Sequence, residues 1–239
     1  MYLYKYRSLQ TLLDWERLGD ILENDRLYFP TYDQLNDPYE GASTLLVPKD
    51  GYAGCSLSNE YDMDYSVIAS IKKQYRLLSL SGTCKSTLLW AHYAGNYTGL
   101  VLVYKSDKSF ASAQKVIYQN AETREQIKVS AEECDKEVCN TFLSKYKDWE
   151  YEHEWRIIEK TDDKYFNYNS NELVGIIVGN KFSNYSILML KGLLDKFKNG
   201  LSIYRAIPGF QTNGIRIIKL VDVERSIFEN ELDFTEEFN

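Results

Sequence analysis

The segment WEYEHEWRII, residues 149–158, constrains the fold of this chain more than any other. Acidic, aromatic and basic side chains alternate in it and lead into an apolar run. Because successive side chains of a strand point to opposite faces, the pattern predicts Glu152, Glu154 and Arg156 on one face. An ionised carboxylate in an apolar site must be paired or must shift its pKa. The segment therefore predicts a strand that turns two acids and an arginine toward a cleft.

The ordinary alternative is a solvated face on an edge strand, with a cross-strand ion pair. In that arrangement Glu152, Glu154 and Arg156 would be exposed and would need no ligand. The two interpretations therefore differ in the burial of these three side chains.

Composition limits the class of protein. A chain of 239 residues can bury a substantial core. The four cysteines lack paired metal-ligand spacing, and we find no signal peptide or long apolar run, so we expect a reduced, cytoplasmic protein without a membrane partner. The net charge of -7 argues against broad binding to nucleic acid.

The order of predicted elements is mixed, without alternation of strands and helices. We predict strands at 2–6, 26–29, 77–80, 99–104, 116–118, 152–159, 173–178, 202–207 and 215–221, and helices at 9–22, 61–76, 86–94, 131–147 and 185–198. There is no internal repeat or linker. We therefore expect one α+β domain over residues 1–239, with a central, mostly antiparallel or split sheet, flanking helices and a polar-aromatic cleft.

Two further clusters contain candidate site residues. Trp90, His92 and Tyr93 cluster before a Gly-Asn turn, where His92 has either a functional or a structural role. The segment 36–40, Asn-Asp-Pro-Tyr-Glu, is typical of a capped turn, which does not require its glutamate. The sequence has no glycine-rich phosphate loop, no zinc spacing and only two histidines, so we expect no metal.

Four motifs together resemble the bacterial domain-of-unknown-function family 2971. They are Tyr4-Lys5-Tyr6-Arg7, Arg26-Leu27-Tyr28-Phe29 leading to Asn36-Asp37-Pro38-Tyr39-Glu40, Leu89-Trp90-Ala91-His92-Tyr93-Ala94 followed by Gly99, and the segment 149–157. They occur in the family's order and span residues 2–180. The resemblance implies a bacterial or phage-related cytosolic protein of the accessory or defence type.

The layout also looks like that of ADP-ribosyltransferases. In these enzymes an early strand carries an aromatic or basic residue, a middle strand carries small hydroxyl residues, and a late strand carries a Glu-x-Glu pair. The matching positions are 4–7, 78–81 and 152–154, although Leu-Ser-Leu-Ser replaces the usual Ser-Thr-Ser triplet. The resemblance implies NAD as a cosubstrate and a nucleotide-like ligand, with a protein or a nucleic acid as the acceptor.

Roles for individual residues follow from this second resemblance. Glu154 would stabilise an oxocarbenium-like transition state, and Glu152 would orient the acceptor. The full set of expected site residues comprises catalytic Glu154, Glu152 and His92, the NAD-binding residues Tyr4, Tyr6, Arg7, Ser81, Trp90 and Tyr93, and the substrate-binding residues Asn36, Asp37, Glu40 and Arg156.

Two other classes of function stay open. A metal-dependent nuclease or phosphoesterase would use Asp37, Glu40, Glu152 and Glu154 as magnesium ligands, with Arg156 on the phosphate. A noncatalytic module would use the cleft to sense a ligand or a partner protein. Ser81 or Cys84 with His92 could imitate a nucleophile and its base, but no Gly-x-Ser-x-Gly motif supports that arrangement.

Overall fold

A central sheet of eight strands organises the protein. The computed structural model describes residues 1–37, 45–46, 70–120, 127–128, 134–209 and 214–220. Within this sheet one pair of neighbouring strands runs parallel, and the other paired strands run antiparallel. The predicted α+β class, with a mostly antiparallel sheet and flanking helices, is confirmed.

The described strands have the following bounds: β1 Tyr2–Arg7, β2 Arg26–Tyr28, β3 Leu45–Leu46, β4 Tyr75–Ser81, β5 Leu100–Lys105, β6 Gln114–Lys115, β7 Ile117–Gln119, β8 Ile127–Lys128, β9 Ser144–Tyr146, β10 Glu154–Lys160, β11 Tyr165–Asn167, β12 Leu173–Val178, β13 Ser202–Pro208 and β14 Ile215–Lys219. The described α-helices are α1 Leu12–Asn24, α2 Thr87–His92, α3 Cys134–Phe142 and α4 Asn184–Phe197. Short 3-10 helices cover Tyr32–Gln34, Lys108–Ser112, Lys147–Glu152 and Ser170–Glu172. No helix in these ranges combines the length and the apolar character that crossing a membrane requires.

The strands of the large sheet lie in the order β14-β13-β12-β5-β1-β4-β10-β6, with β5 near the centre. Its sequence LVLVYK has five consecutive buried residues, as expected for a strand covered on both faces. One face packs against α1 and α4, which contribute Leu18, Leu22 and Leu190 to the larger core cluster. The other face belongs to a second cluster around Trp90, which α2 contributes. Apolar side chains on both faces therefore fix the position of the neighbouring strand β1.

The helices next to the sheet begin at well-formed caps. Thr11 caps α1 in a capping box with Asp14, so the first backbone N–H groups of the helix are satisfied. Ser183 caps α4 by accepting a hydrogen bond from the N–H of Ser186. The helix α4 connects β12 to β13, which explains why these two strands are parallel.

The sheet is only weakly continuous between β1 and β4. The two strands pair through Tyr4 and Ser81 alone, whereas β1 pairs with β5 over six residue pairs. On its other edge β4 pairs with β10 over seven residue pairs. A cavity forms at this weakly paired place, between β1, β4 and β10, within a sheet that is otherwise continuous.

Several predicted elements have different bounds in the structure. The helix predicted at 131–147 ends at Phe142 in α3, and β9 follows it. This end is compatible with burial because the guanidinium of Arg156 donates a hydrogen bond to the Phe142 carbonyl, one of the four that a helix C-terminus leaves unsatisfied. The helix predicted at 61–76 lies mostly outside the described residues, and its last two residues belong to β4.

The strand predicted at 152–159 begins two residues later, at Glu154. Glu152 ends a 3-10 helix, and His153 adopts the left-handed conformation with φ 45°. The Glu152 carbonyl accepts a hydrogen bond from the Ser81 hydroxyl, and the His153 carbonyl accepts one from the N–H of Gly82. The chain therefore turns a corner at His153 before the strand starts.

Two glycines provide a matched test of this fold. A Cβ at Gly99 would lie 2.1 Å from the Arg7 carbonyl oxygen, whereas a Cβ at Gly192 in α4 would meet nothing within 4 Å. We expect Gly99→Ala to lower the free energy of unfolding by about 3 kcal/mol or more. Gly192→Ala should raise it by about 1 kcal/mol, since alanine favours a helix. Chemical denaturation measures both, and equal stability of the two variants would contradict the close approach at Gly99.

Candidate functional site

The cavity between β1, β4 and β10 has a volume of about 220 Å³. Aromatic rings and charged groups line it together. The lining residues are Tyr4, Lys5, Tyr6, Gln34, Leu35, Asn36, Ser79, Leu80, Ser81, Leu89, Tyr93, Lys145, Glu152, Glu154 and Arg156. The expected polar-aromatic cleft is thus a small cavity with a charged wall.

The charged wall is built on a buried ion pair between Arg156 and Glu154. The Arg156 Nε lies 2.7 Å from Glu154 Oε1, and its Nη2 lies 2.9 Å from Glu154 Oε2. Register pairs these residues with Ser79 and Ser81 of β4, so both point to the same face of the sheet. Arg156 is 0% exposed and Glu154 is 4% exposed. The solvated-face interpretation of this strand is therefore wrong.

Lys145 joins the two glutamates. Its Nζ donates to Glu152 Oε2 at 2.6 Å and to Glu154 Oε2 at 3.0 Å. The other oxygen of Glu152 accepts a hydrogen bond from the Tyr93 hydroxyl at 2.6 Å. Glu152 therefore meets Glu154 through the corner at His153, not through the alternation of a strand. The predicted convergence of the two acids is observed, but the backbone that produces it differs from the prediction.

The two carboxyl groups have pKa values shifted in opposite directions. Burial raises the pKa of Glu152 above its ordinary value, against the attraction of Lys145. Burial also opposes ionisation of Glu154, but Arg156 and Lys145 outweigh it and lower the pKa of Glu154 to about 2. Glu154 therefore stays ionised at any moderate pH, whereas Glu152 holds a proton more readily. Such separation is typical of acid and base roles at an active site.

Lys5 also lines the cavity, and its role was not predicted. Its Nζ donates a 2.7 Å hydrogen bond to the Ser79 carbonyl oxygen. Burial and the nearby Arg7 lower the pKa of Lys5 to about 7, although Glu154 and Glu152 act in the opposite direction. The signal in the sequence was weak, since Lys5 alternates with the aromatic residues Tyr4 and Tyr6.

The structure brings eight of the expected site residues to the cavity. They are Tyr4, Tyr6, Asn36, Ser81, Tyr93, Glu152, Glu154 and Arg156. Their motifs lie far apart in the chain, so the convergence depends on the sheet order β1-β4-β10. Lys145 is a functional candidate that the sequence did not indicate, because it lies within the region predicted as one long helix.

Other expected site residues lie elsewhere. Trp90 is fully buried below the cavity, where its Nε1 donates to the Cys84 carbonyl and its ring stacks on Tyr97. His92 is exposed and packs near Tyr151, with ring centroids 6.2 Å apart. Neither side chain lines the cavity, because the short helix α2 turns them away from it.

The remaining expected residues do not line the cavity either. Arg7 lines a separate small void with Asp14 and Arg17 on the α1 side of the sheet. Asp37 is buried but is not part of the cavity lining. Glu40 lies outside the described residues.

The segment that supplies the charged wall also carries the family similarity. Residues 89–157 match the family Protein of unknown function (DUF2971). The predicted DUF2971 resemblance is confirmed over this segment, which contributes Tyr93, Lys145, Glu152, Glu154 and Arg156 to the cavity. Comparison with curated proteins and with solved structures gave no match.

Removal of the charge on Glu154 should destabilise the protein. Glu154→Gln leaves the buried guanidinium of Arg156 without its counter-ion, and losing one partner of a buried pair costs about 3–5 kcal/mol. The control is Glu159→Gln at the exposed end of β10, where we expect a change of about 1 kcal/mol or less. Denaturant unfolding of both variants at neutral pH provides the comparison.

The same substitution should change the response to acid. The pKa of Glu154 is lowered from 4.5 to about 2, so its contribution to stability is present above pH 4.5 and is lost as the pH falls toward 2. The difference in unfolding free energy between the wild type and Glu154→Gln should therefore shrink across that window. A constant difference would show that Glu154 is not held ionised by its partners.

Proposed function

We propose that this protein is an enzyme of the ADP-ribosyltransferase type, which uses NAD as a cosubstrate and transfers ADP-ribose to an acceptor. One observation carries the proposal: two adjacent carboxyl groups on one cavity wall have pKa values shifted in opposite directions. Pairs of this kind perform acid-base chemistry at anomeric carbons.

The volume of the cavity suits one end of a ligand and not a whole dinucleotide. Pockets that enclose a drug-sized molecule typically measure about 300–1,000 Å³, and this cavity has about 220 Å³. Nicotinamide with its ribose is a fragment of suitable size, and the adenosine end of the dinucleotide would extend outward. The rings of Tyr4, Tyr6 and Tyr93 provide faces against which the nicotinamide can pack.

The proposed step breaks the bond between the nicotinamide nitrogen and the ribose C1′. The electron pair of that bond leaves with nicotinamide, and a nucleophilic oxygen or nitrogen of the acceptor forms a bond to C1′. The acceptor loses its proton to Glu152, because burial raises the pKa of this carboxyl above its ordinary value and makes it a better proton acceptor than Glu154. No electron donor or acceptor is needed, because the reaction is a group transfer.

The geometry favours Glu152 over Glu154 for the proton transfer. Both oxygens of Glu154 contact cations, with Arg156 on each and Lys145 on one. Glu152 contacts one cation and one neutral phenol. We therefore assign Glu154 as the residue that positions Lys145 and Arg156, in place of the central chemical role that the resemblance implies for it.

The same contacts make a magnesium-dependent reaction less favourable. A magnesium ion at these carboxylates would have to displace Lys145, Arg156 and the Tyr93 hydroxyl. Among the described residues, no group of three or more His, Cys, Asp or Glu side chains is arranged to hold a metal. We further propose, on the sequence resemblance, a cytoplasmic role in bacterial or phage defence, with a protein or a nucleic acid as the acceptor.

The test compares Glu152→Gln with the exposed control Glu159→Gln. Release of nicotinamide from NAD and transfer of labelled ADP-ribose should fall by about 10²–10⁴-fold in Glu152→Gln and should be unchanged in the control. The rate should rise with pH through a pKa above the ordinary glutamate range, since the base must lose its proton. Melting curves establish that both variants are folded.

A chelator separates this proposal from the metal-dependent alternative. NAD turnover should persist in EDTA. Cleavage of DNA or RNA that needs a divalent ion and consumes no NAD would favour the nuclease instead. Binding of NAD without turnover in the wild type would indicate a sensor module.

A further inference from the structure

Lys5 is the one cation of the cavity lining that makes no ion pair within the described part of the chain. Lys145 contacts both glutamates, and Arg156 contacts Glu154 and the Phe142 carbonyl. The Lys5 Nζ has a single hydrogen bond, to the neutral carbonyl oxygen of Ser79. An ammonium group has three donors, so two remain for a ligand.

We propose that Lys5 is the anion-binding residue of this cavity and that it contacts a phosphate group of the ligand. This inference rests on the proposed function for the identity of that phosphate, which would belong to the diphosphate of NAD. Lysine is suited to the role because its compact charge binds phosphate from many directions. A free inorganic phosphate offers the same chemistry.

The charge balance of the cavity supports this assignment. Three cations and two carboxylates line it, so with both carboxylates ionised the sum is +1 when Lys5 is protonated and zero when Lys5 is neutral. The ionisable groups that surround Lys5 are Glu152, Glu154, Arg7, Lys145, Arg156 and the phenols of Tyr4, Tyr6 and Tyr93. Burial favours the neutral form of Lys5, which gives the sum of zero. An incoming anion favours the protonated form, which gives the sum of +1.

Proton uptake on binding follows from this balance. The pKa of Lys5 is lowered to about 7 by burial and by Arg7, so about half of the molecules carry the proton at pH 7. A bound phosphate attracts the ammonium form and raises that pKa. Binding should therefore take up about half a proton at pH 7 and nearly one at about pH 8, and affinity should fall as the pH rises.

The experiment is calorimetric titration with ADP-ribose in buffers of different ionisation heat, at pH 7 and pH 8. The diphosphate of ADP-ribose does not titrate in this range, so the proton count reports on the protein. We compare the wild type with Lys5→Met, Lys5→Arg and the exposed control Lys105→Met. Inorganic pyrophosphate and adenosine are titrated in parallel to separate the phosphate from the rest of the nucleotide.

We expect Lys5→Met to bind ADP-ribose about 10- to 100-fold more weakly, as for loss of one charge-assisted hydrogen bond. Lys5→Arg should keep binding but lose the proton uptake, because arginine is charged throughout. Lys105→Met should behave as the wild type in both respects. Melting curves of Lys5→Met show whether the fold is kept, and Lys5→Arg tests the proton count independently.

Binding is measured without turnover, so the two proposals fail separately. Pyrophosphate binding that depends on Lys5, without binding of ADP-ribose, would support the anion site and count against NAD. Equal affinity of Lys5→Met and the wild type would overturn the assignment. Proton uptake that persists in Lys5→Arg would overturn it as well, and so would failure of both phosphate ligands to bind the wild type.

Discussion

The guanidinium of Arg156 is fully buried, and the arrangement around it follows from the cost of placing a charge away from water. Glu154 supplies the counter-charge in a bidentate contact, and the end of α3 supplies a carbonyl oxygen. Lys145 then balances the second carboxylate of the pair. One buried cation thus links the end of α3, the start of β10 and the charged wall of the cavity.

This network explains why the two glutamates differ chemically although they lie side by side. Glu154 is fixed as an anion by two cations, so it contributes a constant charge. Glu152 shares only Lys145 and depends more on burial. Burial and pairing act on both groups, and the number of cations in contact decides which effect is larger. The number of charged partners, more than the extent of burial, therefore separates Glu154, which stays ionised, from Glu152, whose pKa is raised.

Local patterns in the sequence predicted most of the sheet. The apolar run Leu173–Val178 was predicted with the bounds it has in β12, and the strands around 99–104 and 202–207 were nearly right. The first two of these strands are marked by runs of mainly apolar, buried residues. The convergence of Glu152 and Glu154 was also predicted. Lys145 could not be predicted, because it lies in the region predicted as one long helix and its ion pairs join separate elements, which leaves no periodic signal. Lys5 was not predicted either, because a single lysine between two tyrosines gives only a weak sequence signal.

The misplaced aromatic residues have a different origin. Trp90 and His92 were grouped with Tyr93 because they are neighbours in the chain, yet a helix directs consecutive side chains to different sides. Only Tyr93, at the end of α2, lines the cavity. Proximity in sequence was therefore a poor guide to a shared site, whereas the register of β4 and β10 places Ser81 opposite Glu154 although they lie far apart in the chain.

The left-handed residue at His153 has a consequence for how such acidic pairs are recognised. Two carboxylates separated by one residue meet here across a corner of the backbone at His153, whereas in a regular strand alternation alone would place them on one face. Residues with a branched Cβ are poorly tolerated in that conformation, whereas glycine, asparagine, aspartate and histidine adopt it more readily. The residue between the two glutamates therefore indicates whether the backbone can turn there. In a Glu-x-Glu pattern the middle position is informative as well as the two acids.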